Sequence, residues 1–267
     1  LQKLPLPEQI SRMDLFRHPL ATFLAALRFL TILPISWKSE KDSRFFKASL
    51  FWFPLVGLCI GAVVSLVLFL GNESIPQAVM PLLTIFLLAL VSGFLHLDGV
   101  ADSGDGLLSS RPRQQALAIM RDSRSGAMGV ICLIFLILGK YCVLDNLSFT
   151  NLVSAAFCMP IGGRVAILLS MTILPYARKG EGLGRLFYSK QNYCVSLAGL
   201  FLFMLSLAFI YLPALWFVTI SLLLTVALFS FWCFKKLGGA TGDTLGAVCE
   251  LSEFSVSFGF LIMQNHG

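Results

Sequence analysis

The sequence predicts an all-α fold: a polytopic membrane helix bundle of about seven transmembrane helices plus a short N-terminal interfacial or re-entrant helix. Three observations carry this. Of 267 residues, 57% are hydrophobic and only 13% charged, about half the charged share of a typical soluble domain. Mean hydropathy is +0.84. Seven apolar stretches reach the roughly 17–25 residues a helix needs to cross a bilayer, and their connectors alternate between basic and free of Lys and Arg.

Residues 1–19 are a polar, Pro-containing segment without the pattern of a cleavable signal. Residues 20–267 form a single integral membrane domain. Its first segment, 20–36 (LATFLAALRFLTILPIS), is short, carries Arg28 and is broken at Pro34, so it reads as interfacial or re-entrant. The spans follow near 48–70, 77–95, 127–144, 152–174, 193–211, 214–234 and 245–263. The seven cysteines form no CxxC and no Cys/His pair at metal spacing, and are read as small hydrophobes.

Connector charge orients the spans. Lys38, Lys41, Arg44 and Lys47 lie before the first, and Arg111, Arg113, Arg121 and Arg124 between the second and third. Arg178, Lys179, Arg185 and Lys190 precede the fifth, and Lys235 and Lys236 the seventh. Connectors 71–76, 145–151 and 212–213 have neither Lys nor Arg. Basic loops stay in the cytoplasm, so the net charge of +6 reflects topology and nucleic acid is excluded as a partner. The long, Gly- and acid-rich loops all fall on that side, which places any chemistry at the cytoplasmic face.

Two carboxylate clusters stand out there. Asp98, Asp102 and Asp105 at i, i+4 and i+7 share one face of a helix continuing from the second span. Gly99, Gly104 and Gly106 would let a ligand or metal approach the backbone. Asp243, Glu250 and Glu253 repeat the pattern after a Gly-rich turn, suited to phosphate at a helix N-terminus. Crowded carboxylates raise one another's pKa or bind a cation, and hard oxygen ligands suit Mg2+ or Mn2+. His96 sits at the same boundary.

Arg121, Asp122 and Arg124 precede the third span, and Arg178 lies beside a glycine loop. Guanidinium forks suit bidentate phosphate binding. Arg164 falls mid-span and demands a partner in a polar pocket. Lys140, near the outer boundary, can snorkel and is assigned no role. Metal-binding carboxylates beside phosphate-binding arginines point to phosphoryl or phosphodiester transfer, in which metal activates a hydroxyl and steadies the leaving phosphate.

At HLDGVADSGDG, IMRDSRSGAMG, YARKGEGLG and GGATGDTLGAVCELSE the sequence closely resembles the cobalamin synthase family, the adenosylcobinamide-GDP ribazoletransferases. FLTILPIS and FPLVGLCIGAV extend the likeness to about residues 23–263. The resemblance implies a Mg2+-dependent transferase of the bacterial cytoplasmic (inner) membrane. It would join adenosylcobinamide-GDP to α-ribazole or its 5′-phosphate, giving adenosylcobalamin (or its 5′-phosphate) and GMP. It further implies that Asp98, Asp102 and Asp105 are metal ligands, and that Asp243, Glu250 and Glu253 are a second ligand set or supply the general base. Arg121, Arg124 and Arg178, with Asp122, match motifs expected at the phosphates, and Arg164 and His96 are carried as further substrate contacts. Whether copies of the chain associate as a homo-oligomer stays open.

Two rival readings remain. A CDP-alcohol phosphotransferase uses a similar aspartate array, but its signature needs Ala-Arg where this chain reads Asp98-Gly-Val-Ala-Asp-Ser. A transporter would use Arg164 and the acidic residues as an ion path, yet the charges cluster at one surface.

Overall fold

The computed structural model describes residues 18–34, 42–122, 124–178 and 192–266. The first seventeen residues, Lys38, Lys41, Lys179, Arg185 and Lys190 lie outside them. The regular elements are helices: α1 (Pro19–Leu30), α2 (Asp42–Ser49), α3 (Phe53–Gly71), α4 (Met80–Val91), α5 (Leu95–Leu107), α6 (Arg113–Ile119), α7 (Ala127–Asp145), α8 (Phe149–Ile173), α9 (Asn192–Tyr211), α10 (Leu215–Leu237) and α11 (Gly242–His266). The one pairing of extended residues among them is an isolated parallel bridge, Tyr176 with Ala240.

Among the described residues five apolar helical runs are long enough to cross a membrane, or six with the bent pair α4–α5 taken as one. One of these runs, from Tyr193 to Leu237, spans 45 residues, far more than one crossing needs. Side-chain contacts show it folded back on itself. Thr172 and Ser170, neighbours on α8, bond Ser196 of α9 and Ser230 of α10 respectively. Residues 34 apart therefore sit at one height, and α9–α10 is a hairpin turned at Leu212–Ala214. With α3, the bent pair α4–α5, α7, α8 and α11 this makes seven crossing segments among the described residues, in line with the hydropathy pattern.

In the described part of segment 20–36, up to residue 34, the helix ends at Leu30, and Pro19–Leu30 is a half-exposed helix of twelve residues. It is too short to cross, in keeping with the interfacial or re-entrant expectation.

α8 and α11 form the buried centre, while α7, α9 and α10 turn most of their surface outward. Small residues make that centre possible. Gly57 and Gly61 of α3, one turn apart, lie against the carbonyls of Pro160 and Phe157 on α8, the small-xxx-small arrangement that lets membrane helices touch. A Cβ at either glycine would meet α8 backbone, which cannot yield as a flexible side chain would. Gly61→Val is expected to destabilise the bundle by about 1–3 kcal/mol, read as an earlier melting transition in detergent.

One expectation is corrected. The aspartate helix does not continue from the second span: α4 stops at Val91 and α5 leaves it at 92°. Gly93 (φ 61) and Phe94 (φ 60) both adopt left-handed backbone, which no helix can carry through. The tail of α1 braces this elbow, Ile32 N–H donating to the Val91 carbonyl at 2.9 Å.

Past the elbow, α5 lies across the first turns of α7 and α11, Gly104 against Gly129 and Gly99 against Gly246. The basic connectors meet beside it. Lys236 Nζ donates to the carbonyls of Ser109 and Arg111, and Arg113 donates to that of Ala177. At the opposite end Gln264 accepts from the Asn151 side-chain amide and donates to the Asn146 carbonyl.

Candidate active site

The glycines of α5 have a different use from the one their spacing suggested. A Cβ at Gly99 would run into the Asp243 carbonyl, one at Gly104 into Cys132, and one at Gly106 into Met120. Their missing side chains admit neighbouring helices, not a ligand. That packing presses the aspartate face of α5 against the N-terminus of α11.

The four aspartates are held differently. Asp98 is exposed and Asp102 half-buried, and neither carboxylate makes a hydrogen bond or ion pair with another described residue. Asp105 accepts from the backbone N–H of Gly126 at 2.6 Å and of Gly129 at 2.8 Å. It therefore caps α7, where its charge meets the positive end of the helix dipole. Asp243 opens α11 and accepts from Arg178 Nη2 at 2.6 Å and from Thr241 Oγ1 at 3.3 Å.

The turn before α11 explains how Arg178 arrives there. Gly238, with φ 72, ends α10 in the left-handed conformation favoured at such caps. The chain then pairs with the strap 175–178: Ala177 N–H donates to Ala240 O at 2.8 Å and Ala240 N–H to Pro175 O at 2.9 Å. Thr241 and Thr244 close the N-terminus of α11, each hydroxyl accepting from the other's backbone N–H in the manner of a capping box.

The half-buried Asp102 carboxyl lies among the negative charges of Asp243, Asp98 and Asp105, with the positive charge of Arg178 near it. The face thus carries more negative charge than its one arginine balances. Two uncommitted carboxylates beside a third supply the hard oxygen donors that Mg2+ accepts, so the residues present fit such an ion. Among the described residues no three His, Cys, Asp or Glu are arranged to enclose a metal by themselves. An ion here would complete its shell with substrate oxygens and water.

Arg178 also lines a cleft of about 310 Å³, with Ala177 on one wall and Arg113, Gln114, Leu117, Ala118 and Arg121 on the other. Arg124 lies outside it, exposed and paired with Asp122 at 2.8 Å. The hydrogen bond and charge of Arg124 hold the Asp122 carboxyl down, to about 2.

The remaining residues expected at the site are in the interior. Lys140 Nζ donates to Glu250 Oε2 at 2.6 Å and Glu253 Oε2 at 2.9 Å, and Arg164 Nη1 donates to Glu253 Oε1 at 2.7 Å. All four side chains are buried. His96 is buried beside them, its Nδ1 3.6 Å from Cys249 Sγ. Asp243, Glu250 and Glu253 do share a side of α11, but Glu253 stands ten residues on, about 15 Å further along the axis. The second triad is therefore split. Asp243 joins the α5 aspartates, while Glu250 and Glu253 join a neutral two-by-two ion cluster linking α7, α8 and α11.

Two participants escaped the sequence reading. Lys140, about 20 Å into α7 by residue count, is not a snorkelling anchor; it is the hub of that cluster. Its position inside an apolar run was the available signal. Arg113 was counted only as loop charge, though Arg113, Leu117 and Arg121 at i, i+4 and i+8 mark one helical face.

The family model described as cobalamin-5-phosphate synthase matches residues 22–261. An adenosylcobinamide-GDP ribazoletransferase of Acetivibrio thermocellus is 34% identical over 238 residues, 88% of this chain and 94% of its own length. Proteins of the same name from Thermoanaerobacter pseudethanolicus and Shigella dysenteriae are 35% and 38% identical, covering 88% and 86% of this chain and 95% of each relative. No solved structure matches. A membrane helix bundle whose motifs meet at one end, matched along nearly its whole length, belongs to the cobalamin-5-phosphate synthase family of transferases.

Proposed function

We propose that the protein joins adenosylcobinamide-GDP to α-ribazole or its 5′-phosphate, releasing GMP, at the aspartate face of α5. The observation that carries this reading is the gathering of Asp98, Asp102 and Asp243 on one face, with Arg178 bonded to Asp243 and also lining an arginine-rich cleft. An enzyme exchanging one phosphodiester for another needs carboxylates for metal and proton, and cations for phosphate.

In the step, the ribazole hydroxyl oxygen forms a bond to the phosphorus nearer cobinamide. The bridging P–O bond breaks, and its oxygen departs on GMP. The hydroxyl proton passes to a carboxylate of the aspartate face. Bound Mg2+, with Mn2+ as substitute, would neutralise the phosphates and the developing charge, with Asp98 and Asp102 as protein ligands beside Asp243, and substrate oxygens and water in the rest of its shell. Arg178 holds a phosphate oxygen while staying paired to Asp243, so it fixes the reacting phosphorus relative to the aspartates. Asp105 and the buried cluster fix helix positions from outside the reacting atoms. The protein would sit in the bacterial cytoplasmic membrane, in contact with lipid, with this face toward the cytoplasm, where nucleotide substrates are made.

The test is direct. Purified protein in nanodiscs, given both substrates and Mg2+, is expected to release GMP in step with cobalamin product, and EDTA to stop both reversibly. Substrates left intact at saturating Mg2+ would overturn the reading.

A further inference from the structure

The cleft beside Arg178 has more chemistry than a single phosphate requires. We infer that it is the seat of the purine nucleotide that leaves in the reaction, with Arg113, Gln114 and Arg121 as binding residues. This rests on the reaction proposed above and assigns the leaving half of the activated substrate to one place in the fold.

The cleft lies between α6 with the turn after it and the strap 175–178. Arg113, Gln114, Leu117 and Arg121 face it from one side, Ala177 and Arg178 from the other. Its volume of about 310 Å³ is at the lower end of ordinary small-ligand pockets. Arg113 spends Nη2 on the Ala177 carbonyl at 3.0 Å, which fixes its guanidinium against the strap and leaves its other N–H groups for a ligand. Arg178 spends Nη2 on Asp243, and its buried Nε has no hydrogen-bond partner. Arg121 is exposed at the rim. The three guanidiniums outweigh the one carboxylate paired with them, so the cleft favours an anion.

The rest of the lining argues for more than phosphate. Leu117 and Ala177 give it an apolar surface on which a flat base can lie. The Gln114 side-chain amide offers a donor and an acceptor together, as needed at a purine edge that presents both. Arg178 joins the cleft to the aspartates, so a diphosphate spanning it would have one phosphorus at the carboxylates and the other among the arginines. The second phosphate is the one that leaves.

GMP binding to the purified protein in nanodiscs, measured calorimetrically without the other substrate, tests this. Wild type is expected to bind GMP at least tenfold more tightly than inorganic phosphate. Arg121→Gln, at an exposed site with no packing role, is expected to weaken GMP binding by about tenfold, as loss of a charged hydrogen bond does. Arg113→Gln should do the same or more. Lys235→Gln, which removes an exposed charge at the same end of the bundle, should leave it unchanged. GMP binding no tighter than phosphate, unaltered by both arginine changes, or weakened equally by Lys235→Gln, would overturn the inference. Turnover that releases GMP alongside any of these results would leave the proposed reaction standing and only the seat misplaced.

Discussion

Lys140→Met is expected to cost about 3–5 kcal/mol of stability, the range seen when one partner of a buried ion pair is removed. Lys140 is the hub between Glu250 and Glu253, and Arg164 reaches only Glu253. Without the ammonium, Glu250 has no cationic partner and must take up a proton or drag water into the bundle. Restoring balance should recover much of the loss, so Lys140→Met with Glu250→Gln is expected to be more stable than Lys140→Met alone. Thermal unfolding in detergent, followed by circular dichroism, measures both. A single variant as stable as wild type would show that the cluster does not hold α7 to α11.

Asp102→Asn has the opposite profile. Turnover is expected to fall by roughly 10²- to 10⁴-fold, because the face that would hold the metal and take the proton loses one of its two free carboxylates. Stability should stay level or rise slightly. The Asp102 carboxylate is opposed by burial and by Asp243, Asp98 and Asp105, and Asn resembles its neutral form. Asp105→Asn separates the two effects. It weakens the cap on α7 formed with Gly126 and Gly129, so its melting temperature should fall. Steady-state kinetics and melting curves on the two variants check the contrast; unchanged turnover in Asp102→Asn would remove the aspartate face from the chemistry.

Hydropathy alone located the crossing segments, with helix ends displaced by only a few residues, because a bilayer leaves the backbone few alternatives to helix. The elbow at Gly93–Phe94 was hidden for the same reason. An apolar run shows no periodicity that a change of direction would interrupt, and glycine is common in membrane helices. The site was half legible. Spacing placed Asp98 and Asp102 on one face, as the structure does, since the two stand one turn apart on a single helix. Spacing also grouped Asp243 with Glu250 and Glu253, because a shared helical face says nothing of depth along the axis. Only the positions of Lys140 and Arg164 on other helices determine that the two glutamates are buried ion partners. The glycines misled similarly: missing Cβ atoms announce a close approach, and only packing reveals that helices are what approach.

The central claim is that the divalent metal and the reacting phosphates meet at the aspartates of α5 and the start of α11. Iron-directed cleavage reads that location without relying on turnover. With Fe2+ in place of Mg2+, adenosylcobinamide-GDP bound, and ascorbate and peroxide added, hydroxyl radicals cut the backbone closest to the metal. Cuts are predicted near residues 98–105 and 241–243, and are expected to disappear in Asp98→Asn/Asp102→Asn. Cuts confined to another part of the chain, or unaffected by the double substitution, would contradict the account.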